Sequence, residues 1–187
     1  MAPRYYLRLG NESMEHIGRA WPLWNHPADA FPKDCLRAAL CFVGKYILPA
    51  EKANATVLLS DPRDPATQYK VSAFQRTPPG HEDGDLLVVL TENEPAAAYL
   101  EQILARHGEY KPPSAATEAL RVFAEVGLRL SSGWQLIWSE GDKKDVHNVE
   151  NLFITPGTQQ ARRKEEFPCS GGWRSALLGL KQKVNKP

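Results

Sequence analysis

Residues 55–91, ATVLLSDPRDPATQYKVSAFQRTPPGHEDGDLLVVLT, decide the fold class. Ala55–Ser60 and Tyr69–Arg76 are rich in β-branched, aliphatic and aromatic residues and read as strands joined by a turn at Asp61–Pro65. Asp85–Thr91 follows as a third strand after the Pro78-Pro79-Gly80 break. Strands in succession, not alternating with helices, disfavour a parallel Rossmann-like sheet and predict an antiparallel meander in an α+β fold. The unbroken apolar run Leu86–Leu90 predicts a strand covered on both faces.

On the N-terminal side, Arg4–Leu9 alternates as a short strand that Gly10-Asn11 ends. Residues 11–32 contain Pro22, Pro27 and Pro32, which exclude a continuous helix, and Trp21, Trp24 and Phe31, which need cover from water. They read as an ordered loop packed on the body. Asp34 then caps a helix running to about Leu48, with Pro49 as its stop. Leu36, Ala39, Leu40, Val43 and Ile47 form its apolar stripe, and Cys35, Ala38, Phe42 and Tyr46 widen it. Only Arg37, Gly44 and Lys45 are left facing out, so this helix is expected to be central and largely buried.

On the C-terminal side, Pro95 opens a helix to about His107, with Leu100, Ile103 and Leu104 inward and Gly108 as its stop. Ser114 caps another to about Leu130, whose inward positions are Ala116, Leu120, Phe123, Gly127 and Leu130. Trp134–Trp138 alternates, Glu140–Lys144 turns and Val149–Thr155 returns, a second β-hairpin with Trp134, Leu136 and Trp138 on one face. Trp173, Leu177, Leu180 and Val184 share a stripe on a C-terminal amphipathic helix. The expected order is β-α-β-β-β-α-α-β-β-α: a mainly antiparallel sheet, a buried N-terminal helix, two central helices, the hairpin and the terminal helix.

Charge divides the chain. Residues 1–158 carry 16 Lys/Arg against 20 Asp/Glu, a net of about −4, and residues 159–187 carry 7 against 2, a net of about +5. This predicts an acidic α+β body, 1–157, and a polar linker with a basic helix, 158–187, packed on the body. At 187 residues the chain suits one core, and 42% hydrophobic with 24% charged residues argue against wholesale disorder. No stretch nears the roughly 18 apolar residues of a membrane span, and the N-terminus lacks an apolar signal core, so no membrane contact is expected. Cys35, Cys41 and Cys169 are odd in number without CxxC spacing, which predicts reduced thiols and a cytoplasmic setting.

Catalytic patterns are thin. Cys35, near a helix N-terminus, is the best nucleophile candidate, with His147 as its base, but Asp34 beside it opposes ionisation. The five histidines are scattered, without HExxH, so no metal site is expected. The acidic turn His81–Asp85 and the Asp142-Lys143-Lys144 turn have no specific spacing. Neither GxxxxGK[ST] nor GxGxxG occurs, which disfavours nucleotide-dependent enzymes, and no cofactor is expected.

The features that favour binding are basic and aromatic. Arg162, Arg163 and Lys164, then Trp173, Arg174, Lys181 and Lys183, supply phosphate-neutralising charge and a stacking surface, while Trp21 and Trp24 suit a partner interface. The leading expectation is a non-enzymatic binding module acting through protein–protein contacts, as an accessory or regulatory component of a complex. The alternatives are an RNA- or DNA-contacting accessory subunit using 162–186, and a small hydrolase built on Cys35 and His147.

Overall fold

The computed structural model describes residues 2–20, 31–80 and 84–147. It is an α+β protein whose elements run β1 (Pro3–Leu9), α1 (Asn11–Ala20), α2 (Phe31–Phe42), a π-helical turn (Val43–Ile47), α3 (Leu48–Lys52), β2 (Thr56–Asp61), β3 (Asp64–Lys70), β4 (Leu86–Thr91), α4 (Pro95–Arg106), α5 (Pro112–Ser131), β5 (Gln135–Glu140) and β6 (Lys143–His147). Both sheets are antiparallel: β1 pairs with β4, and a four-stranded sheet has the order β3-β2-β5-β6.

The expected meander is corrected. β4 does not continue from β3 but pairs with β1, with Leu7 opposite Val88 and Leu9 opposite Leu86. The cause lies in residues 71–80, expected as strand to Arg76 and found irregular after Lys70. Val71 N–H still donates to the Val57 carbonyl, and then the chain turns onto the helices. There the buried Glu118 carboxylate takes the Phe74 N–H at 2.9 Å, and Arg121 Nη2 donates to the Ser72 carbonyl at 2.6 Å. Phe74 holds φ at 56°, a left-handed backbone that costs a non-glycine residue about 1–2 kcal/mol. Its buried ring, stacked on His107 at 4.7 Å and edge-on to Tyr110 at 5.2 Å, offsets that cost.

Two further expectations fail for local reasons. Residues 11–20, read as loop, form α1, because the prolines that exclude a helix lie beyond it, and Ser13, Met14, Ile17 and Ala20 bury one face. Glu12 in its first turn and Arg19 in its last suit the helix dipole. The helix expected to stop at Pro49 instead starts at Phe31 and passes through the π turn, where the Leu48 N–H reaches the Val43 carbonyl. Pro49 thereby falls in the first turn of α3, where its missing N–H breaks no bond. Gly44, read as outward, is buried, and a Cβ there would lie 2.0 Å from Tyr99 Cδ1.

α4 lies where expected, and α5 does so with its start moved to Pro112; Ser114 is not its cap but accepts the Lys111 N–H from within the first turn. Leu120, Phe123, Leu36, Leu40, Leu100 and Ile103 are all at most 1% exposed and form the centre of the core. The run Leu86–Leu90 alternates: Leu86, Val88 and Leu90 are buried while Leu87 and Val89 are half-buried, so only one face is sealed. The second hairpin closes earlier than expected, with Gly141 at φ 58° in a two-residue turn and β6 already returning at Lys143. Among the described residues no helix is long and apolar enough to cross a membrane.

Gly84 enters β4 under the β1 backbone, and a Cβ there would sit 1.5 Å from the Leu9 carbonyl oxygen. Backbone cannot step aside as a side-chain end can, so Gly84→Ala is expected to lower stability by about 2–3 kcal/mol, read as a shifted denaturant midpoint with unchanged slope.

Candidate interaction surface

The four-stranded sheet separates its two faces by period-two alternation. Val57, Leu59 and Leu136 are buried and Trp138 packs against the core, so these positions face the helices. The alternate positions face away, and the pairing registers align them in rows: Leu58 lies opposite Lys70 on one side and Ile137 on the other, and Ile137 lies opposite Val146. Val146 is 57% exposed, one of two large hydrophobic residues among the described ones that are left so open. Leu58 and Ile137 are half-buried and stand outside the core cluster.

Polar rows flank this aliphatic row. Thr56, Ser139 and Lys144 align on one side, and Gln68, Ser60 and Gln135 on the other. The result is an apolar strip crossing three strands between two polar rows, of which Ser60 is itself buried. The other open hydrophobic residue, Tyr6, is 64% exposed on β1 opposite Val89. Beside β2, a cleft of about 160 Å³ lies between α3 and residues 70–75, lined by Ile47, Ala50, Val57, Val71 and Ala73 and edged by Glu51. Glu51 is already engaged, accepting from Arg106 Nε at 2.6 Å and lying 2.9 Å from His107 Nε2.

The opposite, helical side is closed by ion pairs. Glu118, fully buried on α5, accepts from Arg121 Nε at 2.6 Å and Arg76 Nε at 3.0 Å, and Arg76 Nη2 reaches Glu12 of α1 at 2.6 Å. Burial alone would raise the Glu118 carboxyl, but the hydrogen bond and charge of Arg121, with the Phe74 N–H and Arg76, hold it below its ordinary value. His16 sits between Glu12, 3.6 Å away, and Arg19, whose Nη1 lies 3.4 Å from Nδ1. Burial first and Arg19 second push its imidazole below the ordinary value and keep it neutral. Arg19 continues to Glu125 at 2.8 Å, and Glu125 to Arg129, which lies over the Tyr69 ring at 3.6 Å. These contacts bind α1, α5 and the 71–76 segment together.

The residues singled out by sequence scatter in this frame. Cys35 lies in the second turn of α2, not the first, with no exposed surface; burial and then Asp34 push its thiol far above the ordinary range. His147 is the last residue of β6, opposite Leu136 in the register. Trp134 and Trp138, placed with Leu136 on one face of the hairpin, are partly buried against the core. Trp21 and Trp24, and Arg162, Arg163, Lys164, Trp173, Arg174, Lys181 and Lys183 with the whole 158–187 helix, lie outside the described residues. No group of three metal-ligating side chains gathers among the described residues. The outward row Leu58–Ile137–Val146 was missed by sequence, although its period-two spacing in each strand was present. In comparisons with family models, with curated proteins and with solved structures, nothing matched this chain.

Proposed function

We propose that this chain is a non-enzymatic binding module that holds a partner protein, as an accessory or regulatory component of a complex, on the outer face of its four-stranded sheet. The observation that carries the reading is the strip Leu58–Ile137–Val146, with Val146 57% exposed, inside rows of Thr, Ser, Gln and Lys. An apolar centre within a polar rim is the anatomy of a protein interface. The apolar area this strip leaves in water, mostly on Val146, gains free energy when a partner covers it, in proportion to the area removed.

Val146→Asp tests this reading without touching the core, because the side chain already faces solvent. The variant is expected to keep the wild-type circular dichroism and melting temperature. It should also lose most of the protein that the native chain retains from a nuclease-treated lysate of its own cell. Equal retention by both chains would refute the reading, and retention that disappears on nuclease treatment would favour nucleic-acid contact instead.

A further inference from the structure

We infer that the segment docked on this sheet face is acidic: an aliphatic stretch flanked by carboxylates. The inference rests on the reading of the face as a protein-binding surface and adds the chemistry of the partner. It follows from how the strands sort their charges. The outward positions of the sheet are Thr56, Leu58 and Ser60 on β2, Gln68 and Lys70 on β3, Gln135, Ile137 and Ser139 on β5, and Lys144 and Val146 on β6. Their only charges are the two lysines. The carboxylates of these strands lie elsewhere: Asp61 and Asp64 close the β2–β3 turn, Glu140 sits opposite Lys143 at the hairpin end, and Asp145 sits opposite Trp138 on the alternate face.

Lys70 and Lys144 are exposed, and neither makes an ion pair among the described residues. Residues 1–158 carry a net charge of about −4, yet among the described residues the regularly paired outward positions of this face hold no carboxylate. At physiological salt the screening length is about 8 Å, so a docked segment responds to the lysines beneath it more than to acidic groups on the far side. Three strand spacings and a two-residue offset place the two lysines about 16 Å apart, with the aliphatic row between them. About five extended residues cover that distance, so an aliphatic centre of that length places one carboxylate just beyond each end, within reach of the long lysine side chains. The same charges disfavour the basic 158–187 segment, of net about +5, as the occupant.

The probe is the peptide Glu-Ser-Leu-Ser-Leu-Ser-Glu, acetylated and amidated, titrated into the full ¹⁵N-labelled chain by NMR. Two controls accompany it, one with lysine for both glutamates and one with serine for both leucines. The acidic peptide is expected to shift the amides of Leu58, Ile137 and Val146 saturably. The lysine peptide should bind roughly tenfold more weakly, the size expected from two exposed ion pairs replaced by repulsions. The serine control should not saturate. Lys70→Glu with Lys144→Glu, both at exposed sites, should reverse the preference. Equal or tighter binding of the lysine peptide at the same amides overturns the acidic partner, tighter binding pointing to the basic tail, and leaves the docking face standing. Shifts confined to other residues also overturn it. If no peptide shifts these amides, the acidic partner and the docking face both fail.

Discussion

Glu118→Ala is expected to destabilise the fold by about 3–5 kcal/mol, the range for removing one member of a buried ion pair. Glu118 has no exposed surface, and its loss strips the acceptor from Arg121, from Arg76 and from the Phe74 N–H. The guanidiniums are 20% and 39% exposed, so water recovers part of their loss, more at Arg76 than at Arg121. The Phe74 N–H is the more serious orphan, since it helps hold a left-handed backbone. The effect should be read from denaturant midpoints, and its pH dependence gives a second signature. The folded carboxyl lies below its ordinary value of 4.5, so its contribution is complete above that pH and is lost as pH falls through the folded value. The gap between native and variant chains should therefore narrow as the pH is taken below about 4.5. A gap that is constant with pH, or below 1 kcal/mol throughout, would show that Glu118 does not organise this junction.

Phe123→Ala is expected to cost about 4 kcal/mol, within the range for deleting a buried phenylalanine. Phe123 is 1% exposed at the middle of α5 and meets Phe42 of α2 edge-on at 5.9 Å. It fills the contact between α5, which carries it, and α2, so the cavity left behind cannot collapse unless those two helices move together. The measurement is equilibrium unfolding, where the midpoint should fall while the slope stays near that of the native chain. The variant also separates packing from binding: where it remains folded, the sheet face should bind as in the native chain, because neither Leu58, Ile137 nor Val146 belongs to the cluster that Phe123 occupies.

Particular residues show how far local pattern reaches. α4 and α5 were legible because Leu100, Ile103, Leu120 and Phe123 recur at helical spacing and prolines mark both starts. The β5–β6 hairpin was legible from the alternation around Leu136 and Ile137, although its return strand was placed too late. The course of residues 71–76 was not, since their alternation fits a strand equally well, and the group that draws Phe74 away is a carboxylate 44 residues further on. The candidate face shows the same division. Three of the four strands carried an outward leucine, isoleucine or valine in sequence, but no strand reveals which neighbour lies beside it.

The sequence by itself determined the α+β class, the central helices, and the uneven charge of the chain, net acidic over residues 1–158 and net basic over 159–187. These follow from periodicity, proline placement and charge counts, which act between residues a few positions apart. Tertiary structure alone decided that β4 joins β1, that Glu118 ends the strand at Lys70, and that Leu58, Ile137 and Val146 form one row between two lysines. The physical reason is that strand hydrogen bonds and ion pairs are specific in geometry but not in sequence separation. Which distant groups meet is set by the packing of the whole core.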